Sequence, residues 1–267
     1  MKSKKYEPKI FRSVPFTDSL PAPIWFHLAS MPADATYPQH HHDWGEFVYS
    51  FEGAMEIKLP KIHFLAPPPY GIWLPPNVEH RGLNRDVTMH SSIFLEPDLC
   101  KSLPSDACVL MTTPLLRVIL TELKNSPPRV PCLIQQTRLL QVTLDQLEIL
   151  KKVDIFLPTS EHTGLSIILN YLYLHPEDNS HLSDLARMAN LTERTLARYC
   201  DKELGMSLTE WRQRLKIFKS LPMLETGQSI KTISLNLGYA NTSAFINMFK
   251  RWMGTTPDSF RKESPSS

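Results

Sequence analysis

The last third of the chain repeats one local design, and that repeat limits the possible folds more than any other feature. Residues 182–205 (LSDLARMANLTERTLARYCDKELG) and 230–254 (IKTISLNLGYANTSAFINMFKRWMG) share a common layout. Each reads as a short apolar-patterned helix, a tight turn, and a second helix whose start a Thr or Asn is able to cap. A Gly then stands where the chain must turn away. In the first copy Leu182, Leu185, Ala186, Ala189, Leu191, Leu196, Cys200 and Leu204 fall on inward positions. In the second, the inward set is Ile233, Leu237, Tyr239, Ala244, Phe245, Met248, Phe249 and Trp252.

The outward positions carry different chemistry. In the first copy they are the capping Thr192 with Arg194, Thr195, Arg198 and Lys202; in the second, behind the cap Asn241, they are Thr242, Ser243, Asn247, Lys250 and Arg251. Arg pairs bidentately with guanine, Asn with adenine, and Lys serves phosphates. A solvated helix face carries similar charges, so composition alone decides little. Two such units in tandem, however, predict docking on neighbouring turns of a major groove, and therefore a regulator of transcription. A helix over residues 207–224 joins them, spanning roughly 27 Å at ~1.5 Å per residue, and Pro222 is expected to bend or shorten it.

A chain of 267 residues has room for two domains with their own cores. With 42% hydrophobic residues and no apolar run near the roughly 18 needed to span a bilayer, no membrane segment is expected. The opening MKSKKYEPKI lacks the apolar stretch of a secretory signal, so a cytoplasmic location is expected. Cys100, Cys108, Cys132 and Cys200 show no Cys-x-x-Cys spacing and read as reduced thiols. Net charge is +2, but from Asn179 onward 13 Lys and Arg face 8 Asp and Glu, leaving the rest mildly acidic. That asymmetry suits a DNA-binding part joined to a separate sensor.

Upstream, residues 11–95 read as β structure. Short runs at 45–50, 54–59, 72–74 and 89–95 are rich in β-branched and aromatic residues and punctuated by Pro and Gly, which argues for a small barrel or jelly roll. The pattern then turns helical. Thr113-Pro114 reads as cap and first position of a helix over 115–124, and a longer helix is expected over 133–152. Leu133, Leu140 and Leu147 recur every seven residues with Leu144 beside them, a register that suits either a dimer seam or packing on the helix's own barrel. Residues 156–161 (FLPTSE) read as the hinge, Leu165, Ile168, Leu169 and Leu172 mark a further amphipathic helix, and the closing ESPSS is expected to be disordered.

Two resemblances sharpen this reading. From about His162 to Lys262 the chain resembles the DNA-binding domain of AraC/XylS-type transcription regulators. The likeness rests on Gly238-Tyr239, Ser243, Phe245, Phe249-Lys250-Arg251, Gly254 and Pro257. It implies a seven-helix domain that binds promoter DNA and acts on RNA polymerase; Asn247 stands where that family often has Arg. The segment HHHDWGEFVYSFEG places His40, His42, Glu46 and Gly53 in H-x-H-x3-E-x6-G spacing, and PPNVEHRGLN adds Pro75, His80 and Asn84. These segments are similar to the paired motifs of the cupin superfamily, which implies a divalent transition metal on His40, His42, Glu46 and His80. Asn77 stands where that pattern has Gly, a turn Asn tolerates. On a strand His40 and His42 would share one face, with His41 and Asp43 toward solvent. The donor set suits Fe, Mn, Ni, Cu or Zn, although such barrels also serve as plain ligand pockets. Trp44, Tyr49 and Trp73, with Phe51, are candidates to line an apolar effector pocket.

The expected fold class is therefore α+β. A cupin-like effector-sensing barrel would occupy residues 1–110, a helical linker and dimerisation segment 111–158, and an all-α domain with two helix-turn-helix units 159–267. The expected function is a homodimeric, sequence-specific transcription regulator controlled by a small molecule or metal. The alternatives are a metal-dependent cupin enzyme and a direct metal sensor. No nucleophile–base pair, Gly-rich phosphate loop or catalytic carboxylate pair is apparent.

Overall fold

In a computed structural model, residues 10–52, 55–66, 68–84, 87–130, 132–153, 156–160 and 162–263 are described. Gly53, Glu161 and the ESPSS tail beyond Glu263 lie outside them. The described residues divide into two units, one spanning 10–59 and 64–153, the other 60–63 and 156–263.

Alternation of side chains along strands organises the first unit. Its strands are β1 (Ile10–Phe11), β2 (Ile24–Met31), β3 (Ala35–Thr36), β4 (Gly45–Glu52), β5 (Met55–Lys58), β6 (Ile62–Ala66), β7 (Tyr70–Leu74), β8 (Arg81–Leu83), β9 (Thr88–Leu95) and β10 (Cys108–Met111). Helices α1 (Pro114–Asn125) and α2 (Ile134–Glu148) come next, then β11 (Lys151–Val153). One sheet has the order β11-β10-β7-β4-β9-β2, and the other runs β1-β3-β8-β5-β6. In the first sheet Phe47 stands opposite both Trp73 and Ile93, while Glu46 stands opposite Phe94. Odd and even positions of β4 thus face opposite sides. Phe47, Tyr49, Trp73, Ile93 and Leu95 form one apolar face, and α1 and α2 cover it with Leu116, Ile119, Leu120, Leu123, Leu140 and Leu147. At Gly71 a Cβ would lie 2.2 Å from the Phe47 ring, so only glycine fits beneath that ring.

This packing decides between the two readings of the leucine stripe. Leu140 and Leu147 are 3% and 2% exposed inside their own unit's core, so they form no dimer seam; Leu133 alone of the sevenfold set is open, at 65%. Seven residues are two helical turns, so the same stripe fits a sheet as well as a partner helix. Helices α1 and α2 belong to the same unit as the two sheets. The long helix also stops at Glu148, and Lys151–Val153 pair with β10 as a strand. Thr113 caps α1 as expected, its hydroxyl accepting from Leu116 N at 3.1 Å.

In the second unit, β12 (Leu157–Pro158) pairs with Ile62 and His63. It precedes α3 (Thr163–Leu174), α4 (Leu182–Met188), α5 (Glu193–Tyr199), a π-helical turn at Cys200–Leu204, α6 (Leu208–Glu225), α7 (Ile230–Asn236), α8 (Thr242–Met253) and α9 (Pro257–Glu263). The two repeats are built alike. Asn190 and Gly238 take left-handed backbone in the turns, and Gly205 and Gly254 do so behind the second helices. Leu191 N bonds Ala186 O and Tyr239 N bonds Ser234 O, each at 2.9 Å. Thr192 caps α5 through Thr195 N, and Asn241 caps α8 through Ala244 N. Helix α6 forms the centre, with Trp211, Leu215, Phe218, Leu221 and Leu224 buried. It continues past Pro222 to Glu225, so the proline does not shorten it. Ala244, expected inside, is exposed, because the cap at Asn241 sets Phe245, Met248 and Phe249 as the inward face. No helix among the described residues is long and apolar enough to cross a membrane.

Candidate functional site

The first site lies on the face of β4 opposite the helices. His40, His42 and His80 each present a ring nitrogen, and these atoms lie within 4.8 Å of one another. Contrary to expectation, His40 and His42 are not on a strand: His40 makes a single bridge to His80, and β4 begins only at Gly45. His41 and Asp43 are exposed. Asn77 does adopt left-handed backbone (φ 63), and its amide donates to His42 O at 2.8 Å, tying the two segments together.

The hydrogen bonds around these rings decide their chemistry. Nδ1 of His40, His42 and His80 lies 2.8 Å from the carbonyl oxygens of Pro38, Trp44 and Val78 respectively. A carbonyl only accepts, so each Nδ1 carries a proton and each Nε2 offers a lone pair unless the ring is cationic. Oε2 of Glu46 stands 3.2 Å from His42 Nε2 and 3.5 Å from His80 Nε2. Its Oε1 accepts from Ser92 Oγ at 2.5 Å. Burial pushes the Glu46 carboxyl up, but His42 and His80 oppose it and hold it well below the ordinary carboxylate range. Burial also lowers His80, yet Glu46 outweighs that and raises it; His40 is lowered by burial and by His80. Lone pairs and an anion converge here, and such a group requires a cation, either a proton or a metal. Backbone-anchored imidazoles beside a carboxylate are an arrangement suited to a transition metal.

These residues line one wall of a cleft of roughly 510 Å³, part of it open to solvent. Trp44 lines it and stacks on His42, with ring centroids 5.1 Å apart. Tyr49 and Trp73 do not reach it. Both lie in the core beneath α1 and α2, and Trp73 Nε1 donates to Pro104 O at 2.8 Å. Phe51 packs against that same core. The alternation that puts Glu46 and Val48 in the cleft puts Phe47 and Tyr49 outside it. Sequence reasoning missed Tyr37, His27, His90 and Ser92, which line the cleft beside Val48, Met55 and Phe94. A signal was present: His90, Ser91 and Ser92 are three consecutive polar residues in β9, and alternation puts His90 and Ser92 on one face. Burial lowers His90 to about 4, so it is neutral near pH 7.

The second site is the outer face of the repeats. Arg194, Arg198 and Lys202 are exposed on α5 and the π-helical turn. On α8, Ser243, Asn247, Lys250 and Arg251 are exposed at helical spacing along one stripe. Arg194, Lys202, Lys250 and Arg251 have no ion-pair partner among the described residues. Thr195 and Thr242 are half-buried and engaged locally, with Thr195 Oγ1 2.9 Å from Thr192 Oγ1 and Thr242 Oγ1 3.4 Å from Ser234 Oγ. Thr192 is spent on its cap.

A helix-turn-helix domain model matches residues 185–263. The HTH-type transcriptional regulator NimR of Escherichia coli (strain K12) is 30% identical over 239 residues, 88% of this chain and 86% of NimR. The HTH-type transcriptional regulator RipA of Corynebacterium diphtheriae is 33% identical over 89 residues, 33% of this chain and 27% of RipA. The crystal structure of ToxT from Vibrio cholerae aligns with 91% of this chain and 99% of its own at 14% identity, with a TM-score of 0.39; that overlap is too loose to bear on function. The near full-length relationship to a transcriptional regulator, together with the paired, capped helix-turn-helix units, shows that the chain belongs to the AraC/XylS-type family of DNA-binding transcription regulators.

Proposed function

We propose that the protein regulates a promoter by setting α5 and α8 into two successive major grooves, under control of an effector held in the N-terminal cleft. Arg194 and Arg198 would read bases in one groove, Asn247 in the other, and Lys202, Lys250 and Arg251 would neutralise phosphates. RNA polymerase is the partner on DNA, the cytoplasm the compartment and a homodimer the working form. An effector controls such a protein only by binding two of its states with different affinity.

The observation that carries the sensing role is the cluster of ring nitrogens of His40, His42 and His80 within 4.8 Å of one another in the cleft wall, with Glu46 Oε2 3.2 Å from His42 Nε2 and 3.5 Å from His80 Nε2. His40, His42, Glu46 and His80 would hold a divalent transition metal, which supplies a Lewis-acidic anchor for an effector's donor atom. Val48, Met55 and Phe94 then provide the apolar surface for the remainder of the effector. Catalysis is the weaker reading, because the curated relatives are named as regulators.

Elemental analysis of the purified chain tests the metal, and promoter titration with and without chelator tests its role. About one metal per chain and a chelator-dependent affinity support sensing through the metal. Metal with no chelator effect makes it structural. No metal leaves a ligand pocket alone.

A further inference from the structure

Two reading units select a spacing only if their relative orientation is fixed. A loose tether raises the local concentration of the second unit and leaves its register free. A polar cluster lies where the loop before α4 meets α6 and the turn of the second unit.

Asn179 sits at its centre. Its Nδ2 donates to Gly238 O at 2.6 Å, and its Oδ1 accepts from Lys216 Nζ at 3.0 Å. Lys216, on α6, is buried with its ammonium 4.8 Å from the Tyr239 ring centroid. One turn earlier on α6, Arg212 Nη1 donates to Ser180 O at 2.9 Å and Nη2 donates to Asp178 O. Asp178 is itself pinned by Tyr171 OH and Ser180 N, both at 2.7 Å. Gly238 closes the joint. Its φ is +72°, and a Cβ there would lie 2.1 Å from Glu177 O, so the loop and the turn meet backbone to backbone. Burying Lys216 near Arg212 is unfavourable, and burial with that neighbour pushes its ammonium down to about 8. Polar groups of this kind contribute less to stability than an apolar core would, and a recurring use for them is to single out one arrangement.

We infer that Asn179 is a positioning residue: by bracing Gly238 against Lys216 it locks the second helix-turn-helix unit to the first and thereby sets the spacing between half-sites that the protein accepts. This rests on the two-groove reading above. Either unit alone needs no brace, so the prediction concerns spacing and not the strength of a single contact.

The test uses the full chain and a duplex selected by the wild-type protein from a random-sequence pool. Footprinting defines the two contacted segments, and anisotropy titrations then compare that duplex with one carrying an extra base pair between them. Wild type should lose at least about tenfold on the insertion. Asn179→Ala should lose under about threefold, while matching wild type on a duplex holding a single contacted segment. Asn179→Asp keeps the acceptor for Lys216 but loses the donor to Gly238 O, and should behave as Asn179→Ala does. If wild type ignores the insertion, the two-groove reading falls. If wild type and both variants discriminate equally, the brace is overturned and two-groove docking stands.

Discussion

His42 Nε2 faces Glu46 Oε2 at 3.2 Å while the other nitrogen of the same ring is engaged with the Trp44 carbonyl. Two acceptors do not hold that distance unaided; a positive charge must share it. If the charge is a metal, Glu46→Gln and His80→Ala should each lower metal content measured after dialysis, with affinity falling by about tenfold or more. Equal metal in wild type and both variants would place any bound ion elsewhere.

Arg198 is exposed on α5 with its guanidinium 5.6 Å from the Tyr199 ring centroid. Arg198→Ala should weaken promoter binding by about 1–3 kcal/mol and relax sequence preference at one position. Lys250→Ala should instead weaken all sequences similarly and reduce the salt dependence. Unchanged affinity of Arg198→Ala for the selected duplex in a gel-shift titration removes the base-reading role.

Leu147 is 2% exposed beneath the sheet that carries Phe47 and Trp73. Leu147→Ala should destabilise the chain by about 2–5 kcal/mol in denaturant melts, as cavities in packed cores do. Sedimentation should show the same oligomeric state as wild type. A dissociated but equally stable variant would restore the dimer-seam reading.

His90 has its pKa lowered to about 4 by burial. Between about pH 4 and the unfolded value near 6.5 the unfolded chain binds a proton that the folded chain refuses. Stability from this residue is therefore intact above about pH 6.5 and is lost as pH falls toward 4. In the presence of a chelator, His90→Gln should flatten that acid limb by up to about 1.4 kcal/mol per pH unit. Parallel pH profiles for the two proteins would mean that His90 protonates freely.

Local chemistry made the second unit legible. Caps, turn residues and C-terminal glycines act within one helical turn, so Thr192, Asn241, Gly205 and Gly254 announced their roles from spacing alone. The histidines of the first unit were legible for a different reason: the likeness of two short segments to the cupin motifs implied that His40, His42 and His80 belong together, and Asn77 could take the turn before His80. Pocket aromatics were not legible. Tyr49 and Trp73 differ from Trp44 only in which face of a strand they occupy.

Sequence by itself therefore determined the two repeats and the strand-rich first unit, because each depends on neighbours a few residues away; that His80 belongs with His40 and His42 was implied only by the likeness to the cupin motifs. Only tertiary structure decided that Leu140 and Leu147 serve their own sheet, that His90 and Ser92 share a cleft with Glu46, and that Asn179 meets Gly238. A periodic stripe states that a face must be covered, and the long-range packing of the chain chooses what covers it.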